Sequence, residues 1–161
     1  HVNRNPMLYK QTIQFALQGG IIDLTCGMTG SAIPVPQAVK QALDAGVPLE
    51  RLTLSSDGNG SMPKFNENNE LIGLTAAAPR YLYEEMLSIV KAGVLPFDKA
   101  LQLITCNVAD ALKLEDKGRI AVGKDADLIV WNDDLTLNKV FARGRLMVDE
   151  GQAVVKGTFE N

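Results

Sequence analysis

The sequence predicts a parallel α/β fold over most of its length, followed by a small all-β region. Helical and strand patterns alternate at short intervals in the first part, which is typical of a parallel sheet with helical crossovers. From Lys113 onward the sequence contains short strand patterns separated by Gly-containing turns. With 161 residues, 46% of them apolar and 22% charged, the chain is long enough for one domain with a real core and a small second region.

The first part contains two helix–strand pairs, each bounded by residues that favour turns. Pro6 suits the first turn of a helix, and Gly19-Gly20 ends that helix before the β-branched run IIDLT. A loop dense in glycine, serine and proline (CGMTGSAIPVP) separates the two pairs. The predicted elements are a helix over 6–18, a strand over 21–25, a helix over 36–46 and a strand over 51–56.

The rest of the chain predicts further helices and then only strands. A polar loop (KFNENNEL, 64–71) precedes one helix over about 76–92 and another that starts after Pro96 and continues to Leu112. The all-β region is too small for a core of its own, so it should pack on another part of the protein. Its strand patterns are GRIAVG, ADLIVWN, LNKVFARGRLMVD and QAVVKGTF.

Composition excludes several classes of function. A net charge of −3 with scattered Lys and Arg argues against nucleic acid as a partner, because phosphate binding needs a basic face. No apolar run approaches the roughly 20 residues that span a bilayer, and the polar start HVNRNP has no signal-peptide pattern. Cys26 and Cys106 lack CxxC spacing and predict two buried thiols rather than a disulfide. We therefore expect a cytoplasmic protein.

The segment SSDGNGS at 55–61 is the strongest candidate for chemistry. Asp57 stands where a predicted strand ends, and the glycines on either side of Asn59 allow a sharp turn just beyond it. In parallel α/β folds the carboxyl ends of the strands carry functional groups, since their loops converge there. A carboxylate at that position suits a metal ligand or a general base. The alternative is an aspartate that merely forms a turn or caps a helix.

His1 and Arg4 form the second candidate group. His1 is the only histidine and lies just ahead of a predicted helix, where a neutral imidazole is a suitable metal ligand. Arg4 offers a planar set of donors for a substrate carboxylate. The alternatives are a frayed terminal histidine and a solvated surface arginine.

Asp125 and Asp127 raise the question of a calcium site. They lack the dense spacing of oxygen ligands that a calcium-binding loop has. Aspartate favours turns because its side chain bonds to nearby backbone groups. We interpret both as turn and strand-edge residues.

Two strings near the end of the chain resemble a known family. They are similar to the carboxyl-terminal signature of the amidohydrolase superfamily, and they read T-x-N-x-A-x-x-L at 105–112 and GRIAVGKDADLIVW at 118–131. Three further segments resemble one family within it, the isoaspartyl dipeptidases, which are metallopeptidases. These segments are HVNRNP, LTLSSDGNGS and VFARGRLMVDEGQAVVKGTFE. The resemblance implies the last part of a (β/α)8 TIM-like barrel, strands 7 and 8 with their helices, over 1–112, and a small β-sandwich segment over 113–161.

The resemblance also implies a reaction and roles for four residues. Two divalent metal ions, usually zinc, would share the hydroxide that attacks the β-aspartyl bond of a small dipeptide. His1 matches a ligand of the more exposed metal ion, and Asp57 matches a ligand of the more buried one and the residue that carries the proton. Arg4 and Ser61 match residues that bind the substrate carboxylates. The family resemblance further implies a homo-oligomer.

The chain departs from the family pattern in what it lacks. A barrel of this kind needs eight strands and about 250 residues, and the family's other metal ligands lie upstream of the segment that begins at His1. We therefore expect a fragment of a longer chain that works with the upstream half of the same polypeptide and is inactive alone. The alternatives are another amidohydrolase (dihydroorotase-like or N-acyl-amino-acid deacylase-like) and an inactive fragment that serves only in assembly.

Overall fold

The structure is a computed structural model that describes residues 1–28, 32–68 and 70–157. The chain divides into two compact units, His1–Ala111 and Leu112–Asn161. Part of the predicted loop CGMTGSAIPVP, at residues 29–31, lies outside the described residues, as does the end of the QAVVKGTF pattern from residue 158 onward.

The first unit combines helices with two small sheets. The 3-10 helices are Val2–Arg4 and Leu49–Arg51. The α-helices are α1 (Pro6–Leu17), α2 (Val35–Asp44), α3 (Tyr81–Lys91), α4 (Phe97–Gln102) and α5 (Cys106–Leu112), the last of which ends at the division between the units. The strands are β1 (Ile22–Thr25), β2 (Leu52–Ser55), β3 (Ser61–Phe65) and β4 (Leu71–Ala76).

Strands β1 and β2 form the buried centre of this unit. They pair in parallel, with Ile22 opposite Leu52 and Thr25 opposite Ser55, and α2 makes the connection between them. The parallel pairing predicted from the helix–strand rhythm is therefore confirmed. Leu24 and Leu52 are completely buried and lie on the same face of the pair, whereas Asp23 on the opposite face is exposed.

The core packs helices against these two strands. Side chains from α1, α2 and α3 meet there, including Tyr9, Val39 and Met86. Burial of each such side chain stabilises the fold by roughly 1.5–3 kcal/mol. The hydroxyl of Tyr9 donates a hydrogen bond to the carbonyl of Ala38, at 2.5 Å, and so satisfies its one polar group inside the core.

Helix α1 begins where the sequence predicts. Oδ1 of Asn5 accepts hydrogen bonds from the N–H groups of Met7 and Leu8, at 2.9 and 3.2 Å, and Pro6 occupies the first turn. This cap satisfies donors that have no partner within the helix.

The predicted polar loop at 64–71 is confirmed in its middle only, because residues 64 and 65 belong to β3 and residue 71 to β4, and these strands form an antiparallel hairpin that the sequence did not predict. Between these strands, Oδ1 of Asn66 accepts hydrogen bonds from the N–H groups of Asn68 and Glu70. The side chains of β4 are exposed on both faces, so the usual alternation of apolar and polar residues is missing. Helix α3 consequently begins at Tyr81 rather than near 76.

The predicted helix from Pro96 to Leu112 is two helices, α4 and α5. The carbonyl of Leu103 accepts a hydrogen bond from the N–H of Leu54, at 3.0 Å, on the neighbouring strand β2. This tertiary bond competes with the helical pattern at the point where the helix breaks, and local helix propensity does not anticipate it.

The second unit contains one antiparallel sheet in the order β5-β6-β7-β8. Its strands are β5 (Leu128–Trp131), β6 (Leu137–Ala142), β7 (Arg145–Asp149) and β8 (Gln152–Ala153). Two-residue turns, Arg143-Gly144 and Glu150-Gly151, connect the last three strands with positive φ at both positions, as tight hairpins require. Over residues 112–157 the described strands form a single sheet, so this unit does not by itself supply both layers of the predicted β-sandwich.

The GRIAVG segment at 118–123 is not a strand, contrary to the prediction. Ile120 and Val122 are strongly exposed, and the backbone forms turns, with the N–H of Lys124 bonded to the carbonyl of Ala121. In the described part of the chain, no helix is both long and apolar enough to cross a membrane.

Candidate active site

The parallel pairing of β1 and β2 brings His1 and Asp57 together. Thr25 and Ser55, the last residues of the two strands, lie side by side. His1 lies beside the end of β1, and Asp57 follows the end of β2 by two residues. The Nε2 atom of His1 lies 3.4 Å from the Oδ2 atom of Asp57, and both side chains are partly exposed.

Hydrogen bonds to β1 fix the position of His1. Its Nδ1 atom lies 2.8 Å from Oγ1 of Thr25. Asn3, which is fully buried, accepts a hydrogen bond from the N–H of Thr25 and donates to the carbonyls of Thr25 and Ile33. The short helix that begins after His1 is therefore tied to the end of the strand. The imidazole presents its second nitrogen to Asp57.

The turn after β2 holds Asp57 in a left-handed backbone conformation. Its φ is 50° and that of Asn59 is 65°, and Asp and Asn are the side chains that tolerate this region best. The turn is closed by the N–H of Gly60, which bonds to the carbonyl of Asp57 at 2.8 Å. A tight turn was predicted here, but the glycines are not its left-handed residues.

Glycine at position 60 is required for a different reason, namely close approach. A Cβ atom there would lie 2.8 Å from the carbonyl oxygen of Asp57 and 3.0 Å from its Cγ. The first of these contacts is with backbone, which has little freedom to move away. Gly60 thus allows the turn to fold tightly against the aspartate.

Arg4 and Ser61 lie close in sequence to the His1–Asp57 pair. Arg4 ends the short helix after His1, and its N–H donates to the carbonyl of His1 at 3.1 Å. Ser61 is the first residue of β3, immediately after the Asp57–Gly60 turn. Both residues are exposed, so their polar groups are accessible to a ligand.

The donor set formed by His1 and Asp57 fits part of a metal site. An imidazole nitrogen and a carboxylate oxygen are both donors that zinc accepts, and Nε2 and Oδ2 lie 3.4 Å apart. Within residues 1–28, 32–68 and 70–157, however, no three His, Cys, Asp or Glu side chains cluster as metal ligands would. The pair supplies two ligands, whereas a zinc site normally takes three or four from the protein.

Asp125 and Asp127 take part in ion pairs within the second unit. Lys117 Nζ lies 2.7 Å from Asp125 and 2.5 Å from Asp127. The second carboxylate also accepts the N–H of Arg143. These hydrogen bonds, that from Lys117 first, hold the pKa of Asp127 below its usual value. Both aspartates lie just ahead of β5, at the edge of a strand as predicted, but not in a turn.

The residues predicted from the sequence include neither Thr25 nor Asn3. Thr25 could have been found as a short polar residue at the end of a buried strand. The buried amide of Asn3 has no such signal, since asparagine in a polar segment such as HVNRNP is normally exposed.

Known proteins similar in sequence are larger than this chain. An imidazolonepropionase of Anaeromyxobacter sp. (strain K) is 34% identical over 112 residues, 70% of this chain and 22% of that protein. Adenine deaminase 1 of Carboxydothermus hydrogenoformans is 28% identical over 104 residues, 63% of this chain and 17% of that protein. The chain thus spans about a fifth of the length of these relatives.

Solved structures resemble the chain over nearly its whole length. A beta-aspartyl dipeptidase of Fervidobacterium islandicum AW-1, in complex with the beta-Asp-Leu dipeptide, matches 98% of this chain and 41% of its own, with a TM-score of 0.82 and 31% identity. An N-acetylglucosamine-6-phosphate deacetylase of Thermotoga maritima matches 88% of this chain with a TM-score of 0.58. At 15% identity, that second likeness concerns the fold alone.

The family assignment rests on the sequence profile of the Amidohydrolase family, which matches residues 33–150. This range includes β2, the turn at Asp57 and most of the second unit. Because the match extends over most of the 161 residues, the chain belongs to the amidohydrolase family.

Proposed function

We propose that this chain supplies part of the active site of a metal-dependent hydrolase that cleaves the β-aspartyl bond of dipeptides. In this proposal His1 and Asp57 are metal ligands, and the remaining ligands come from an upstream half of the same polypeptide. The complete protein is a cytoplasmic homo-oligomer whose barrel includes β1 and β2. The observation that carries the proposal is the 3.4 Å separation of Nε2 of His1 and Oδ2 of Asp57 at the carboxyl ends of two parallel strands.

Asp57 has the chemistry needed to move a proton. Two divalent cations, such as zinc, would supply positive charge that lowers the pKa of water towards neutrality. The carboxylate of Asp57 takes up the proton that water loses when its oxygen attacks the amide carbon. It returns a proton to the nitrogen of the departing amino acid as the C–N bond breaks.

Arg4 and Ser61 suit the two free carboxylates of a β-aspartyl dipeptide. The guanidinium of Arg4 forms paired hydrogen bonds with a carboxylate, and the hydroxyl of Ser61 donates one. Both residues are exposed and close in sequence to the proposed ligands. The match to a beta-aspartyl dipeptidase with beta-Asp-Leu bound supports this choice of substrate.

A second candidate is an amidohydrolase that acts on a ring amide or amidine. It is favoured by the relatives named imidazolonepropionase and adenine deaminase. Such substrates lack the second carboxylate of a β-aspartyl dipeptide, so this reaction would make less use of Arg4 and Ser61.

The first experiment replaces Asp57 in the complete zinc-loaded polypeptide that contains this sequence. Asp57→Asn keeps the shape of the side chain and tolerates the left-handed φ of 50°, but it cannot take up the proton. We expect turnover of β-Asp-Leu to fall by at least about 100-fold. Asp44→Asn is the matched control, because that aspartate pairs with Lys40 at the end of α2, and its turnover should stay unchanged. Full activity in Asp57→Asn contradicts the proposed role.

A substrate comparison separates the two candidates. The unsubstituted complete protein is assayed with β-Asp-Leu, α-Asp-Leu, dihydroorotate, an N-acyl amino acid, adenine and imidazolonepropionate. In this protein we expect the highest kcat/KM for β-Asp-Leu. In the Arg4→Met variant we expect a higher KM for β-Asp-Leu. A higher kcat/KM for any other substrate assigns the site to that chemistry instead.

A further inference from the structure

Thr25 contacts the imidazole of His1 at Nδ1, the nitrogen that faces away from Asp57. Nδ1 of His1 lies 2.8 Å from Oγ1 of Thr25, whereas Nε2 faces Oδ2 of Asp57. In neutral imidazole only one nitrogen carries a proton. The hydroxyl of Thr25 can accept a hydrogen bond from Nδ1–H or donate one to Nδ1, so the contact holds the ring in the same orientation in either form. When Nδ1–H donates to the Thr25 hydroxyl, Nε2 keeps its lone pair and can bind a cation.

Thr25 is itself held firmly. Its side chain is 1% exposed, and its backbone N–H and carbonyl both bond to the side chain of Asn3. Its neighbour across the sheet is Ser55, and the carbonyl of Ser55 accepts the N–H of Cys26. The hydroxyl of Thr25 therefore provides a fixed point at the rim of the sheet for the flexible χ angles of His1.

We propose that Thr25 is a positioning residue that orients His1, so that Nδ1 bonds to the Thr25 hydroxyl and Nε2 is turned towards Asp57 and the proposed metal. The inference rests on the proposed function, in which His1 is a metal ligand. Hydrogen bonds from the second nitrogen of a histidine ligand typically account for about 10- to 100-fold in metal affinity. Thr25 does not touch the reacting atoms and acts only through the histidine.

The experiment measures zinc affinity of the complete polypeptide by competition with a chelator, so that the readout does not depend on turnover. Thr25→Val keeps the shape of the side chain and removes the hydroxyl, whereas Thr25→Ser keeps the hydroxyl and removes the methyl group. We expect zinc affinity to fall by about 10- to 100-fold in Thr25→Val and to stay near the unsubstituted value in Thr25→Ser. If Thr25 only packs against its neighbours, zinc affinity should be lower in Thr25→Ser than in Thr25→Val. That result would overturn the proposal.

Thr53→Val is the matched control. Thr53 is also a buried threonine, on the adjacent strand, but its hydroxyl bonds to Asp23 rather than to His1. We expect its loss to leave zinc affinity unchanged, and a fall equal to that of Thr25→Val would refute a specific role of Thr25.

His1→Ala separates this inference from the proposed function. If His1→Ala leaves zinc affinity unchanged, or the complete protein binds no zinc, both proposals fail. If His1→Ala weakens binding and Thr25→Val does not, only the positioning role fails. In a His1→Ala background, Thr25→Val should have no further effect, because it acts through that histidine.

Discussion

Nε2 of His1 lies 3.4 Å from Oδ2 of Asp57, although the two side chains are 41% and 39% exposed. A pair of this exposure contributes little to folding, because water screens the charges and competes for the hydrogen bonds. The close approach of these residues is therefore better explained by a role in binding than by a role in stability.

This relationship predicts that the pair can be disrupted without loss of the fold. In the metal-free complete protein, we expect His1→Gln and Asp57→Asn each to change the free energy of unfolding by less than about 1 kcal/mol. Urea denaturation measures this, with Leu24→Ala as a reference that should cost about 2–5 kcal/mol through its cavity in the core. A loss above about 2 kcal/mol in either pair variant would indicate a structural role.

Two asparagines near the start of the chain should differ in how much they contribute to the free energy of unfolding. Asn3 is fully buried and makes three hydrogen bonds to backbone groups, whereas Asn5 caps α1 at the surface. Asn3→Ala leaves the buried N–H of Thr25 without its partner, so we expect a loss of about 2–4 kcal/mol. Asn5→Ala should cost about 1 kcal/mol. Equal losses in urea denaturation would show that Asn3 is not the main connection between its helix and β1.

The sequence predicts those parts of the fold in which local pattern and tertiary structure agree. Helix α1 follows from Pro6 and its apolar spacing, and the parallel pair β1–β2 follows from short apolar runs between helices. The β3–β4 hairpin does not follow, because its exposed strands carry no alternation. The break between α4 and α5 depends on the hydrogen bond from Leu54 to Leu103, which a local pattern cannot reveal.

The candidate site shows the same division. Asp57 can be found from its position at the end of a strand and ahead of a glycine-rich turn. The proximity of His1 depends on the parallel pairing and on the anchoring by Thr25 and Asn3, which no spacing in the sequence expresses. Gly60 is visible as a glycine, but its function, close approach to the aspartate, requires coordinates.

The two cysteines differ in their predicted reactivity. Cys26 is buried, as expected from the sequence, whereas Cys106 is only partly buried. Burial, and secondarily the negative charges of Glu85 and Asp23, raises the pKa of the Cys26 thiol to about 12. It therefore remains protonated and unreactive near neutral pH. We expect iodoacetamide to alkylate Cys26 about 100-fold more slowly than Cys106, or slower still, with equal rates in denaturant. Peptide mass spectrometry resolves the two sites, and comparable rates in the folded protein would contradict the burial.

The last prediction concerns Gly60 and the turn that carries Asp57. A methyl group at position 60 would lie 2.8 Å from the carbonyl oxygen of Asp57 and 3.0 Å from its Cγ, so the turn must open and carry the carboxylate away from His1. A displacement of about 1 Å can reduce turnover by about 100-fold, and we expect a loss of that order for Gly60→Ala in the zinc-loaded complete protein.

Gly93→Ala tests whether such a loss is specific to the turn. Gly93 follows α3 with φ of +67° and nothing within 4 Å of the added Cβ, so alanine there should cost about 1–2 kcal/mol of backbone strain. Its turnover well below the melting temperature should nevertheless remain normal, because the strain lies at a helix end and not beside the aspartate. If Gly60→Ala retains activity while its melting temperature falls like that of Gly93→Ala, the close approach at position 60 serves the fold alone and does not set the position of Asp57.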